Sequence, residues 1–128
     1  ETVLLQRNEV VLMDMYAGVE HLGRATSDMV DAMLIVAEPT ARSLGAAAQI
    51  RTLANDLHIQ NLYLIGNKVQ GPADREFIAA NSPRLPVLGY LSADKAVLDA
   101  DRERKPVYDL SPKLVGETQA IVERLKRN

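Results

Sequence analysis

The chain has no cysteine, which excludes a disulfide framework and any Cys-ligated metal site within it. No apolar run approaches the roughly 18–20 residues that a membrane-spanning helix needs. Neither sign of charge dominates: 15 Lys and Arg stand against 17 Asp and Glu, a formal net charge of −2. That balance argues against a dominant nucleic-acid or anionic-membrane surface. There is no internal repeat, no low-complexity segment and no interdomain linker. No G-x-x-x-x-G-K-[ST] pattern occurs either, so the chain lacks the loop whose backbone N–H groups and Lys cradle phosphates. What is present is 128 residues, 47% of them hydrophobic, enough for one globular domain or part of one.

The hydrophobic pattern predicts alternating strands and helices, and so an α/β fold with a parallel sheet. Val10–Asp14 reads as a strand buried on both faces, followed by a short helical stretch from about Glu20 to Val30. Ala32–Ala37 is a second apolar run, closed by Glu38-Pro39. Ser43 is placed to cap a helix of about fifteen residues, with Leu44, Ala47, Ile50, Leu53, Ala54 and Leu57 on one face. Leu62–Asn67 reads as a third strand. Gly71-Pro72 then breaks the chain before a short helix, Ala73–Ala80, with Pro72 at its first turn. Pro86–Leu91 is a shorter fourth strand, and Asp94–Arg102 a helix. A last amphipathic helix begins near Ser111-Pro112, setting Leu114, Val115, Ile121, Val122 and Leu125 against Glu117, Glu123, Arg124, Lys126 and Arg127. Its mixed charge and lack of bulky aromatics suit docking on the sheet better than lying on a membrane.

Two places hold candidate chemistry. Asp14 ends the first strand, at the carboxyl edge where open α/β sheets bind ligands, and Gly18 lets backbone approach closely four residues later. In a nucleotide hydrolase such a carboxylate reaches Mg²⁺ or its water, and the loop after it senses the terminal phosphate. An ordinary strand end that starts a turn or caps a helix looks the same. Asn67 follows the third strand and offers the acceptor and donors that match adenine's N6/N7 edge. An Asn that merely turns the chain also fits. Lys68, between Asn67 and Val69, is not in the setting of a phosphate-loop lysine.

The remaining polar residues read as structural. Asp94 favours the N-terminus of the helix it precedes. The two histidines, His21 and His58, stand in different elements and do not make a metal-ligand spacing. Arg24 is either a carboxylate partner across a subunit boundary or a solvated helix residue. Met13, Met15, Met29 and Met33 are core or interface filler.

The string Asp14-Met15-Tyr16-Ala17-Gly18-Val19-Glu20-His21-Leu22-Gly23-Arg24 resembles the D-x-x-A-G segment of the MinD/ParA-type ATPases, which carry a deviant phosphate loop. Its A-G-x-E-H-L-G-R continuation is similar to the nickel-insertion ATPases that mature carbon monoxide dehydrogenase. Glu38-Pro39, Gly66-Asn67-Lys68, Val87-Leu88-Gly89 and Asp99-Ala100-Asp101 extend the resemblance over nearly the whole chain. It implies a partial doubly wound, mostly parallel sheet of the P-loop NTPase kind, without the strand that bears the phosphate loop. It also implies a cytoplasmic, homodimeric ATP hydrolase that uses ATP and Mg²⁺ to help load nickel into carbon monoxide dehydrogenase. In such a protein Asp14 holds a Mg²⁺-bound water and Gly18 meets the terminal phosphate. Asn67 reads adenine, with Lys68 beside it and the Leu91-Ser92 backbone lining the base pocket. Relatives commonly carry Pro where Ser92 stands, so this loop is expected to be less rigid.

The chain begins with Glu1, and Val3-Leu4-Leu5 reads as a helix already under way, so it is expected to be the C-terminal part of a single ATPase domain. The C-x-C pair that binds nickel in such proteins would then precede Glu1. By itself the chain is expected to be inactive. With the phosphate-loop strand gone, Val10–Asp14 and Ala32–Ala37 lose a neighbour; either they pair directly or strands of another copy fill the gap, and association is the expected outcome. No nucleic-acid partner and no stable membrane insertion are expected. Two other classes fit the same residues: a partitioning or positioning ATPase of this superfamily, and a non-catalytic α/β interaction domain.

Overall fold

A computed structural model describes residues 12, 30–82 and 84–127 of the chain. Apart from Leu12 and Val30, the expected strand Val10–Asp14 and the helix that follows it lie outside those residues. Three strands, β1 (Met33–Ala37), β2 (Leu62–Val69) and β3 (Val87–Ser92), form one parallel sheet in the order β1-β2-β3. Helix α1 (Ala41–Asp56) connects the first two strands and α2 (Pro72–Asn81) the second pair. After β3 come α3 (Lys95–Glu103), α4 (Val107–Leu110) and α5 (Pro112–Arg127). This is the expected α/β class, with a parallel sheet and helices on both faces.

Strand alternation divides the core in two. On one face Met33, Ile35 and Ala37 of β1 and Leu62 and Leu64 of β2 pack against Leu44, Ala47 and Ala54 of α1. Ile78 of α2 joins them, and it and Leu64 are fully buried; full burial contributes roughly 1.5–3 kcal/mol for each such side chain. On the other face Ile65 and Leu88 meet Ile121 of α5, with Leu34, Tyr63, Leu91 and Leu125 around them. The closing helix therefore docks on the sheet, as its mixed charge suggested.

Two shifts of register shape β2 and β3. Leu64 pairs with Val87 but Ile65 with Gly89, which leaves Leu88 as an extra residue on β3. Leu88 and Gly89 consequently both look toward α5. A Cβ on Gly89 would sit 2.5 Å from Ile121 Cγ1, so the close approach of α5 requires glycine there. Farther along, Gly66 pairs with Tyr90 and Val69 with Ser92, so β2 now carries the extra residue.

Several local expectations are corrected. The cap of α1 is Thr40, whose Oγ1 accepts from the Ser43 N–H at 3.1 Å. Ser43 instead uses its Oγ to accept from the Glu38 N–H at 2.8 Å, which fixes the turn after β1. Strand β2 runs two residues beyond Asn67, because the bulge lets pairing resume at Val69. The short α4 has too few residues to show a period and was not anticipated. In α5, Glu117 and Arg124 reach back to β3, Glu117 to Ser92 and Arg124 to the Leu88 carbonyl.

Candidate functional site

Parallel strands bring their carboxyl ends to one edge, where this fold class binds ligands. Asn67, Lys68, Leu91 and Ser92 are gathered at that edge of β2 and β3. Asp14 and Gly18 lie outside the described residues.

Asn67 and Lys68 occupy the extra-residue segment between the Gly66–Tyr90 and Val69–Ser92 pairs. Lys68 has φ 55, the left-handed region, which costs about 1 kcal/mol or more outside glycine. Bulges of this kind re-aim side chains at strand ends. Asn67 is left half-buried. Its carboxamide has no hydrogen-bond partner among the described residues. Lys68 turns outward and its Nζ lies 2.7 Å from Glu38 Oε1 at the end of β1. Both side chains are well exposed, so the pair adds at most about 1 kcal/mol of stability. What it adds is position, bridging two strand ends whose backbones are already set by the Ser43 contact and the bulge.

The end of β3 is more firmly held. The Ala93 N–H reaches back to the Val69 carbonyl at 2.9 Å. Glu117 of α5 accepts from both donors of Ser92, the N–H at 3.0 Å and Oγ at 2.6 Å. Leu91 is packed against the α5 face, which leaves only its backbone for a ligand. Asp94 caps α3 by accepting from the Ala96 N–H at 2.9 Å, and also accepts from the buried Ser111 hydroxyl. The Ser111 and Ala96 hydrogen bonds, with the Lys113 charge adding to them, hold the Asp94 carboxyl below the usual carboxylate range. Asp94 is thus a cap, as expected.

Around this edge, Asp74 accepts from the Gln70 N–H at 2.8 Å and ties the loop after β2 to α2. The Arg75 guanidinium lies 5.3 Å from the centre of the Tyr90 ring. Two open cavities, about 250 and 290 Å³, lie at the opposite, amino ends of β2 and β3, sharing Tyr63 and Pro86. None of the candidate site residues Asn67, Lys68, Leu91 and Ser92 lines either one. Among the described residues no three His, Asp or Glu side chains gather as a metal site, and no helix is long and apolar enough to cross a membrane.

Sequence reading missed Glu117. A signal was there: it stands three residues after Leu114 and four before Ile121, a charged residue in an apolar helical stripe.

No family model matches the chain. It is 42% identical over 123 residues to the carbon monoxide dehydrogenase accessory protein CooC of Rhodospirillum rubrum, covering 96% of this chain and 47% of that protein. It is 44% identical over 122 residues to an uncharacterized ATP-binding protein of Methanocaldococcus jannaschii, again 47% of the relative. The fold is shared with the MinD cell division protein of Aquifex aeolicus, at TM-score 0.59 and 18% identity over 80% of this chain and 45% of that one. Over most of its length the chain is homologous to CooC and to ATP-binding proteins of this kind, and it shares the fold of MinD. It spans about half the length of the curated relatives it matches.

Proposed function

We propose that this chain is the C-terminal part of an ATP-hydrolysing domain whose phosphate loop is carried by preceding sequence. We propose further that the whole protein works as a homodimer that supports nickel insertion into carbon monoxide dehydrogenase. The observation that carries the reading is Asn67, set on a bulge at the carboxyl edge beside Ser92 in a chain 42% identical to CooC. In this reading Asn67 hydrogen-bonds the adenine edge through its carboxamide, and the backbone of Leu91 and Ser92 lines the base. Lys68 is held off the phosphates by Glu38 and shapes the rim.

The described residues supply no metal cluster of their own. A Mg²⁺ ion that keeps several waters and binds phosphate oxygens needs only one or two carboxylates, and Asp14 is assigned that part. Bound there, Mg²⁺ neutralises charge on the phosphates. Gly18 brings backbone N–H groups to the terminal phosphate. Nickel is the cargo, and with no cysteine here its thiolate ligands belong to the preceding sequence.

Asp14→Asn in the full-length protein keeps the side chain's shape and removes its charge. Hydrolysis is expected to fall of order 10²-fold or more with ATP affinity weakened less, measured by phosphate release and ATP titration. A wild-type rate would overturn the role of Asp14. The 128-residue chain alone is expected to turn over no ATP, and turnover by the purified chain would overturn its place in the domain. A C-x-C pair in the preceding sequence, with nickel retained on dialysis, supports the metal-loading role. Its absence favours a partitioning or positioning ATPase.

A further inference from the structure

We propose that Glu117, on the helix behind the sheet, is a positioning residue that sets the base-binding loop 91–94 and so governs nucleotide affinity. The inference rests on the nucleotide reading of this edge given above. One carboxylate takes both donors of one residue: the Ser92 N–H at 3.0 Å and the Ser92 hydroxyl at 2.6 Å. Such a paired contact fixes the backbone and the χ1 rotamer of Ser92 together, and hydrogen bonds to a charged acceptor are the stronger kind.

A second tie closes the other end of the loop. Asp94 accepts from Ser111, and the Ser111 Oγ in turn accepts from the Leu114 N–H at 3.3 Å in the first turn of α5. Ser111 is 1% exposed. Loop 91–94 is therefore fastened at both ends to the start of α5. That helix is itself seated by Ile121 against Gly89 and by Arg124 Nη1 donating to the Leu88 carbonyl at 2.9 Å.

The position of Ser92 gives the clamp its consequence. Its register partner is Val69, two residues beyond Asn67, so loop and carboxamide border the same edge. A base held between them meets a preset surface only while the loop stays put. If release of the clamp leaves the loop competent about a tenth of the time, apparent affinity falls about tenfold. Chemistry at the phosphate end is not touched. A residue that served stability alone would lower the melting temperature without this selective loss.

The sheet also supplies a way to bypass the clamp. The Ser92 N–H goes to Glu117 rather than to the ladder, so proline at 92 fixes φ without removing a sheet hydrogen bond. In the full-length protein, Glu117→Ala is expected to weaken ATP binding about tenfold by calorimetric titration, with kcat within about twofold. In a Ser92→Pro background the same change is expected to alter affinity less than about twofold. Should Glu117→Ala fail to fold, Glu117→Gln, which retains one acceptor, is expected to weaken binding about threefold. Folded Glu117 variants with wild-type affinity overturn the proposal. So does a loss of affinity that Ser92→Pro leaves unchanged, which marks Glu117 as structural only. A wild-type protein that binds no ATP overturns the nucleotide reading itself, and this control separates the two failures.

Discussion

Among the described residues, twelve buried side chains form one apolar cluster under α1 and α2, and only three do so under α5. The second face is completed by polar contacts: Glu117 to Ser92, Arg124 to the Leu88 carbonyl, and Ser111 to Asp94. Apolar burial is non-directional and scales with area. A face held that way is strong but tolerant of small shifts. Hydrogen bonds impose distance and angle, so the α5 face is weaker in burial and stricter in geometry. The stricter face is the one that holds the loop at the carboxyl edge.

The sharpest test of this contrast is Ile78→Ala, which opens a cavity at a fully buried site on the α1/α2 face. Chemical denaturation is expected to show a loss of roughly 4 kcal/mol. Ile121→Ala is expected to cost less, because its cluster is small; equal losses would break the comparison.

A smaller effect is expected for Gly89→Ala, whose new Cβ meets Ile121 Cγ1 at 2.5 Å. A β-branched side chain cannot rotate freely away, so overpacking is expected to cost about 1–3 kcal/mol. In an Ile121→Ala background the same change is expected to be close to neutral, a coupling that a double-mutant cycle reads directly. Additive losses would show that α5 does not approach there as described.

The smallest effect concerns pH. Hydrogen bonds from Ser111 and Ala96 hold the Asp94 carboxyl below its ordinary range, so its folded-state pKa lies below the unfolded value of about 4. The tie therefore contributes stability above that value and loses it as pH falls through the folded pKa. Melting curves of wild type and Asp94→Asn are expected to differ most near neutrality and to converge as pH falls below the ordinary carboxylate range. A gap that stays constant with pH would remove the charge from the account.

How much of this could be read from the residues differs between the same two faces. Periodicity picked out Leu44, Ala47 and Ala54 of α1 because a helix that buries one stripe repeats it along the chain. The candidate site was legible in part: Asn67, Lys68, Leu91 and Ser92 do lie on one edge. That Asn67 sits inside a bulged strand was not legible, since a bulge is a mismatch between two strands and belongs to neither alone. Thr40 took the capping role assigned to Ser43 because the turn after Glu38-Pro39 needed the serine hydroxyl elsewhere. Glu117 and Arg124 were legible only as part of the charged side of an amphipathic helix, whereas each reaches a partner far away along the chain.

By itself, then, the sequence determined the α/β alternation, the parallel sheet, the apolar face of α1 and the edge at which polar residues collect. All of these follow from local period and from where apolar runs stop. Only the tertiary structure decided the two register shifts, the glycine-tight seat of α5 at Gly89 and the clamp of Glu117 on Ser92. Each of those depends on groups brought together across the sheet, and no spacing along one strand or helix specifies a contact of that kind.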